Sequence, residues 1–206
     1  HMIIKTTFNK IQIFTVLFLL SITLGNAQTP TCSSDPVTLP WNEGFETVIT
    51  NEYTSNNSNV QGLCNWEYTE DNRGRLRFNQ VSHTGNNAAL FDVYRDRNYT
   101  ENNLIKTLNL SNYTSATDLE LSFWFADYGD ESDAQDGVWI RGNDTENWVE
   151  AYRIDAENNR DDRWNEVTRI DIDQLLNAAG QRVSSTFQIK LSQYDNWSYN
   201  NDGIAY

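Results

Sequence analysis

The chain has 206 residues, with 29 acidic against 15 basic side chains, a formal charge of -14 and a pI near 4.4. Such a field repels a phosphate backbone, which excludes nucleic acid as a partner, while 7 Trp, 10 Tyr and 9 Phe supply too much apolar surface for a disordered chain. Of the two histidines, His1 stands ahead of Met2 and reads as a cloning scar, so only His83 is a native imidazole, which speaks against Ser/His/Asp, Cys/His or histidine-rich metal chemistry.

The amino end reads as a leader. Lys5 and Lys10 precede a mostly apolar run from Ile11 to Leu24, too short for a comfortable bilayer span, and Gly25-Asn26-Ala27 offers the small residues of a cleavage site. Residues 1–27 are expected to be a signal peptide and residues 28–206 the mature domain, secreted or at the cell surface and without membrane insertion after cleavage. Cys32 lacks the Leu-x-x-Cys context of an acyl anchor. In an oxidising compartment Cys32 and Cys64 can pair, closing a loop of about 33 residues for roughly 3.5 to 4 kcal/mol of stability; two buried thiols are the alternative.

Beyond the leader the apolar pattern has period two. Strands are predicted over Arg75 to Val81, Ala88 to Tyr94 and Leu104 to Leu110. Leu119, Leu121, Phe123 and Phe125 then alternate with Glu120, Ser122, Trp124 and Ala126. Gly137 to Arg141, Trp148 to Ile154 and Glu166 to Ile172 follow. Asp173 is the predicted cap of a short helix, Gln174 to Ala179, ended by Gly180. Phe187, Ile189 and Leu191 make the last clear strand. The 26 asparagines suit long turns between strands. About nine strands, one short helix and no repeat predict an all-β, antiparallel jelly-roll β-sandwich.

Several segments carry a resemblance in order and spacing: Cys32 ahead of Gly44-Phe45-Glu46, Leu63-Cys64-Asn65-Trp66, Gly85-Asn86-Asn87-Ala88-Ala89-Leu90, Ser122-Phe123-Trp124-Phe125 with Tyr128-Gly129, and Asp202-Gly203-Ile204-Ala205-Tyr206. Together they resemble MAM-like jelly rolls of extracellular receptors and the related adhesin and accessory domains of secreted bacterial proteins. The resemblance implies a Cys32–Cys64 disulfide. It implies a final strand running on past Tyr206, so that the domain is expected to be cut within its last strand and to belong to a longer parent chain. It further implies a structural calcium where Glu46 of the first strand meets acids of the last, with Asp202 near the other end and the strongest ligands of the family past Tyr206. The other family cysteines are absent, which favours the bacterial relatives.

The densest acidic segment, Asp130-Glu131-Ser132-Asp133-Ala134-Gln135-Asp136, offers hard oxygen ligands in a spacing that is not an EF-hand. Asp130, Asp133 and Asp136 join Glu46 and Asp202 as candidate calcium ligands, against the alternative of a solvated acidic loop. Trp197 and Tyr199, in a polar loop, and Trp148 and Trp164, beside polar turns, are candidate stacking rings for sugar; the alternative is that they cover the sandwich edges. The charge disfavours anionic polymers unless calcium bridges them. His83 reads as a solvated side chain. No Glu-x-Asp-x-x-Glu string of a jelly-roll glycoside hydrolase occurs. The expectation is a non-catalytic extracellular binding or adhesion module that recognises a glycan or a surface protein and holds structural calcium. A spacer without ligand and a polysaccharide-active enzyme are the alternatives.

Overall fold

The computed structural model describes residues 2–6, 32–95, 98–154, 163–199 and 202–206. The apolar leader run from Ile11 to Leu24 and the predicted cleavage point lie outside them. The strands are β1 (Met2–Thr6), β2 (Trp41–Glu43), β3 (Glu52–Tyr53), β4 (Trp66–Glu70), β5 (Gly74–Arg77), β6 (Leu90–Val93), β7 (Thr100–Leu108), β8 (Leu119–Asp127), β9 (Gly137–Arg141), β10 (Val149–Arg153), β11 (Trp164–Asp171), β12 (Phe187–Asp195) and β13 (Ile204–Ala205). One α-helix, α1 (Ile172–Ala178), and a 3-10 turn at Ser111–Tyr113 complete the regular elements among the described residues.

All strand pairings are antiparallel, and they build two sheets. The smaller runs β10-β9-β12-β7-β4. In the larger, β8 pairs with β11 along one edge and with β13 and β1 along the other; β2 and β6 lie outside those, then β5 and β3. From β6 the chain crosses between sheets at β7, β8 and β9, and again at β11, β12 and β13, the winding of a jelly roll. The all-β sandwich expected from the alternation is therefore present.

Alternation explains the core. Leu121, Phe123 and Phe125 of β8 and Phe187, Ile189 and Leu191 of β12 point inward and are buried, meeting Leu76, Phe91, Leu104, Val138 and Ile140. Each such side chain contributes about 1.5 to 3 kcal/mol on leaving water. β4, which the sequence reading passed over, follows the same rule with Trp66 and Tyr68 inward. An exception sits at an inward position of β7. Lys106, 5% exposed, donates from Nζ to the Cys64 carbonyl and lies 5.3 and 5.6 Å from the Trp41 and Trp66 ring centres. Burial pushes its ammonium down to about 8.

Two local expectations change. The helix cap is Asp171, whose carboxylate accepts from Gln174 N at 2.8 Å; Asp173 lies in the first turn and accepts from Leu119 N at 2.7 Å. Gly180, at φ +72°, follows the helix end as expected. In addition, Met2–Thr6 of the predicted leader forms β1, between β2 and β8.

Cys32 and Cys64 are disulfide-bonded, with 5.0 Å between Cα atoms. Replacing both by serine is expected to remove about 3 to 4 kcal/mol. A thermal melt should show this as a drop of roughly 10 °C, reproduced by reductant on the unaltered protein.

Candidate functional site

One pole of the sandwich gathers carboxylates from strand ends far apart in sequence. Asp127 closes β8, Asp195 closes β12, Asp202 precedes β13, and Asp130 and Asp136 flank the turn between β8 and β9; each is at most 3% exposed. Asp127 Oδ1 organises the turn by accepting from Gly129 N at 2.8 Å and Asp130 N at 2.9 Å, with Gly129 at φ +106°, a conformation that favours glycine. Asp136 accepts from Tyr194 N at 2.8 Å and Asp133 N at 2.7 Å. Asp195 accepts from Trp197 N at 2.8 Å.

These bonds leave acceptors without donors. Asp130 Oδ2 accepts from Gln193 Nε2 at 3.1 Å, but Asp130 Oδ1, Asp202 Oδ1 and Gln193 Oε1 are buried and have no hydrogen-bond partner. Among the described residues no lysine or arginine forms an ion pair with Asp130, Asp136, Asp195 or Asp202. Burial, reinforced by the charge of Asp136, holds the Asp130 carboxyl well above the usual range. Burial pushes Asp136 up to about 7, and burial with the charge of Asp195 raises Asp202; Asp195 is raised by burial as well. A group in this state either keeps a proton or needs a cation.

Asp130, Glu131 and Asp202 each bring a carboxylate oxygen within 4.8 Å of the others, an all-oxygen set of the kind hard divalent cations take. Of the predicted ligands, Asp130 and Asp202 therefore converge and Asp136 lies beside them. Asp133 contributes its backbone N–H to Asp136 and is itself partly exposed. Glu46 lies apart from this group. Its carboxylate accepts from Asn86 N at 2.9 Å and Asn87 N at 3.2 Å, and those bonds, Asn86 first, lower its pKa. Asp127, Asp195 and Gln193 were not among the ligands read from the sequence, and Glu131 entered only as part of the acidic segment.

Beside this pole Asp92, fully buried, is neutralised by Arg75 at 2.9 and 2.6 Å and by Arg77 at 2.7 Å. It also accepts from Tyr199 N at 2.8 Å, which seats the loop holding Trp197 and Tyr199. Tyr199 packs edge-on against Tyr128 at 5.2 Å, with the Arg77 guanidinium 5.4 Å from its ring centre. Trp197 is 40% exposed.

The outer face of the five-stranded sheet is a second concentration of chemistry. One rung across it reads Glu150, Trp139, Lys190, Ile105, Glu67. The next reads Arg141, Gln188, Thr107, where Gln188 accepts from Arg141 Nε at 2.7 Å and donates to Thr107 Oγ1 at 2.8 Å. Trp148 lies over this corner, 4.3 Å from the Arg141 guanidinium and 5.2 Å from Lys190 Nζ, which is also 5.2 Å from the Trp139 ring centre. Tyr99 and Tyr194 stack at 4.8 Å toward the acidic pole.

Trp164 belongs to neither place. It pairs with Ala126 on the outer face of the larger sheet, where His83 stacks on Trp124 at 3.9 Å and meets Trp164 edge-on at 5.6 Å. His83 is thus half-buried against rings rather than solvated, and burial lowers its pKa. The four predicted stacking rings accordingly fall in three places. Trp139, which the sequence reading did not select, joins Trp148. No family model, curated protein or solved structure matches the chain.

Proposed function

We propose that the chain is a non-catalytic extracellular binding module of MAM-like type, that it recognises a glycan on the outer face of its five-stranded sheet, and that its acidic pole holds a structural calcium ion. The observation that carries the reading is the pairing of Trp139 and Trp148 beside Lys190, Arg141, Gln188 and Thr107 on one sheet face. Sugars present apolar C–H faces with hydroxyls around the rim. Rings supply the stacking surface, and the amide, hydroxyl and cationic groups between them supply the hydrogen bonds. All of these side chains stand on strands except Trp148, which immediately precedes β10 and is held by its contacts with Arg141 and Lys190, so such a face is preformed and loses little entropy on binding.

Calcium enters as a support for the fold. Asp130, Glu131 and Asp202 would hold it, with Asp195 alongside, and its charge would offset the repulsion among the buried carboxylates. The disulfide and the leader-like amino end support an extracellular setting.

A glycan array on the unaltered protein tests the reading. The glycans it identifies are then titrated against variants: Trp139→Ala and Trp148→Ala should each weaken binding about tenfold, close to 1.4 kcal/mol, with the melting temperature within a few degrees. Trp197→Ala separates the two candidate surfaces. Loss with Trp197→Ala and none with the sheet variants would move the site to the loop at the pole, and no glycan bound at all would favour a spacer.

A further inference from the structure

β7 begins at the acidic pole, where Thr100 faces Asp195, and ends where Leu108 faces Phe187. Lys106 lies six residues along from Thr100, so about 20 Å separates it from the pole. It takes an inward position between Leu104 and Leu108, in register with the buried Trp66 and Ile189. Neither the glycan face nor the acidic pole employs it.

Its ammonium is held by a carbonyl and two rings. Nζ donates to the Cys64 carbonyl and lies beside the Trp41 and Trp66 rings. Among the described residues it forms no ion pair. Glu43 is the carboxylate that acts on it, yet Glu43 spends its oxygens on Trp66 Nε1 at 3.0 Å and Phe45 N at 2.8 Å. An ammonium carries three N–H groups, so two remain after the bond to Cys64. A cavity of about 610 Å³ adjoins Lys106; Trp41, Pro36, Val37 and Leu108 give it apolar wall, and the exposed Ser58 and Ser185 give it a hydroxyl rim.

We propose that Lys106 is a covalent capture site for a small hydroxyaldehyde, such as a short sugar in its open-chain form, which enters this cavity and forms an imine with Nζ. The Nζ lone pair bonds to the aldehyde carbon, the carbonyl oxygen leaves as water with two protons of the ammonium, and the iminium keeps the positive charge; no oxidant or reductant takes part. The product suits the place. An iminium retains one N–H, which is what the Cys64 carbonyl accepts, and two indole faces stabilise it as they stabilise the ammonium. The carbon chain of the aldehyde meets Trp41 and Leu108, and its hydroxyls meet the serine rim. Burial supplies the reactivity: with the ammonium held down to about 8, about a quarter is neutral at pH 7.5, against about one in a thousand for an ordinary lysine. The proposal rests on neither the glycan nor the calcium reading.

The test treats the unaltered full chain with glycolaldehyde and cyanoborohydride at about pH 7.5, where about a quarter of Lys106 is neutral; the hydride fixes the imine as a secondary amine, and peptide mass mapping follows each lysine. Lys106 should be labelled at least about tenfold faster than Lys5, whose side chain is 44% exposed. Its rate should level off as glycolaldehyde is raised, because a cavity fills and an open surface does not. Ser185→Trp, at an exposed position on the rim, should slow Lys106 about tenfold and leave Lys5 and the melting temperature unchanged. Acetaldehyde, which lacks the hydroxyl, should give Lys106 a smaller advantage over Lys5. Labelling of Lys106 no faster than Lys5, a rate that rises in proportion to glycolaldehyde without levelling, or equal labelling in Ser185→Trp overturns the proposal, and an equal advantage with acetaldehyde overturns the assignment to hydroxyaldehydes.

Discussion

Freed of calcium by chelator, the protein should melt at progressively lower temperature as the pH is raised from about 5 to about 8, and millimolar calcium should abolish that decline. The sign follows from the acidic pole. A carboxyl whose folded pKa lies above its unfolded value contributes stability that is fully present below the unfolded pKa, near 4, and is lost as the pH rises through the folded pKa. Asp136 and Asp195, each held up to about 7 by burial, place the window between roughly 4 and 7, and Asp130 and Asp202, raised by burial and by neighbouring carboxylates, extend it upward. Calcium requires the ionised form and reverses the penalty. At a concentration 100 times its dissociation constant it would add about 2.7 kcal/mol, a rise of roughly 5 to 10 °C. Asp130→Asn should flatten the pH dependence and remove the calcium effect together. A melting temperature indifferent to both pH and calcium would mean that the pole is neutral and dry.

The largest single-residue effect is expected at Asp92. Removing its carboxylate by Asp92→Ala leaves Arg75 and Arg77, with side chains 18% and 12% exposed, facing each other without the buried carboxylate that pairs them. Breaking such a pair destabilises by about 3 to 5 kcal/mol, whereas replacing every member by apolar groups is often near neutral. Asp92→Ala should therefore lower the melting temperature by about 10 °C or more, and adding Arg75→Met and Arg77→Leu should restore most of it. Failure of that rescue would assign the loss to the Tyr199 amide and its loop. In either case the single variant should release the loop holding Trp197, visible as a change in tryptophan fluorescence.

Strands with strict alternation were legible from the sequence because one face of each lies in the core: β8 and β12 show Leu, Ile and Phe at every second position. β2 and β3 are too short for a period to appear, and β1 was hidden inside a composition that reads as a leader. Lys106 could not be placed, since an inward lysine breaks the pattern that reveals inwardness. At the pole, Asp130 and Asp136 stood out by density. Asp127 and Asp195 did not, because each is a lone acid at the end of a strand and only the register brings them together. Trp139 was not selected from within its strand; the signal for its outward side chain is that Val138 and Ile140, on either side, are the buried pair.

The position of β8 also sets how the chain must fold. Its edges are covered by β11 on one side and by β13 and β1 on the other, so Ser122 waits for Ile3, Leu121 for Ile170 and Ala126 for both Trp164 and Ala205. Closing such wide loops spends entropy before the contacts return it, which places folding in the range of roughly milliseconds to seconds. During that interval Phe123 and Phe125 are carried on a bare strand, and aggregation competes with folding there rather than in the native state.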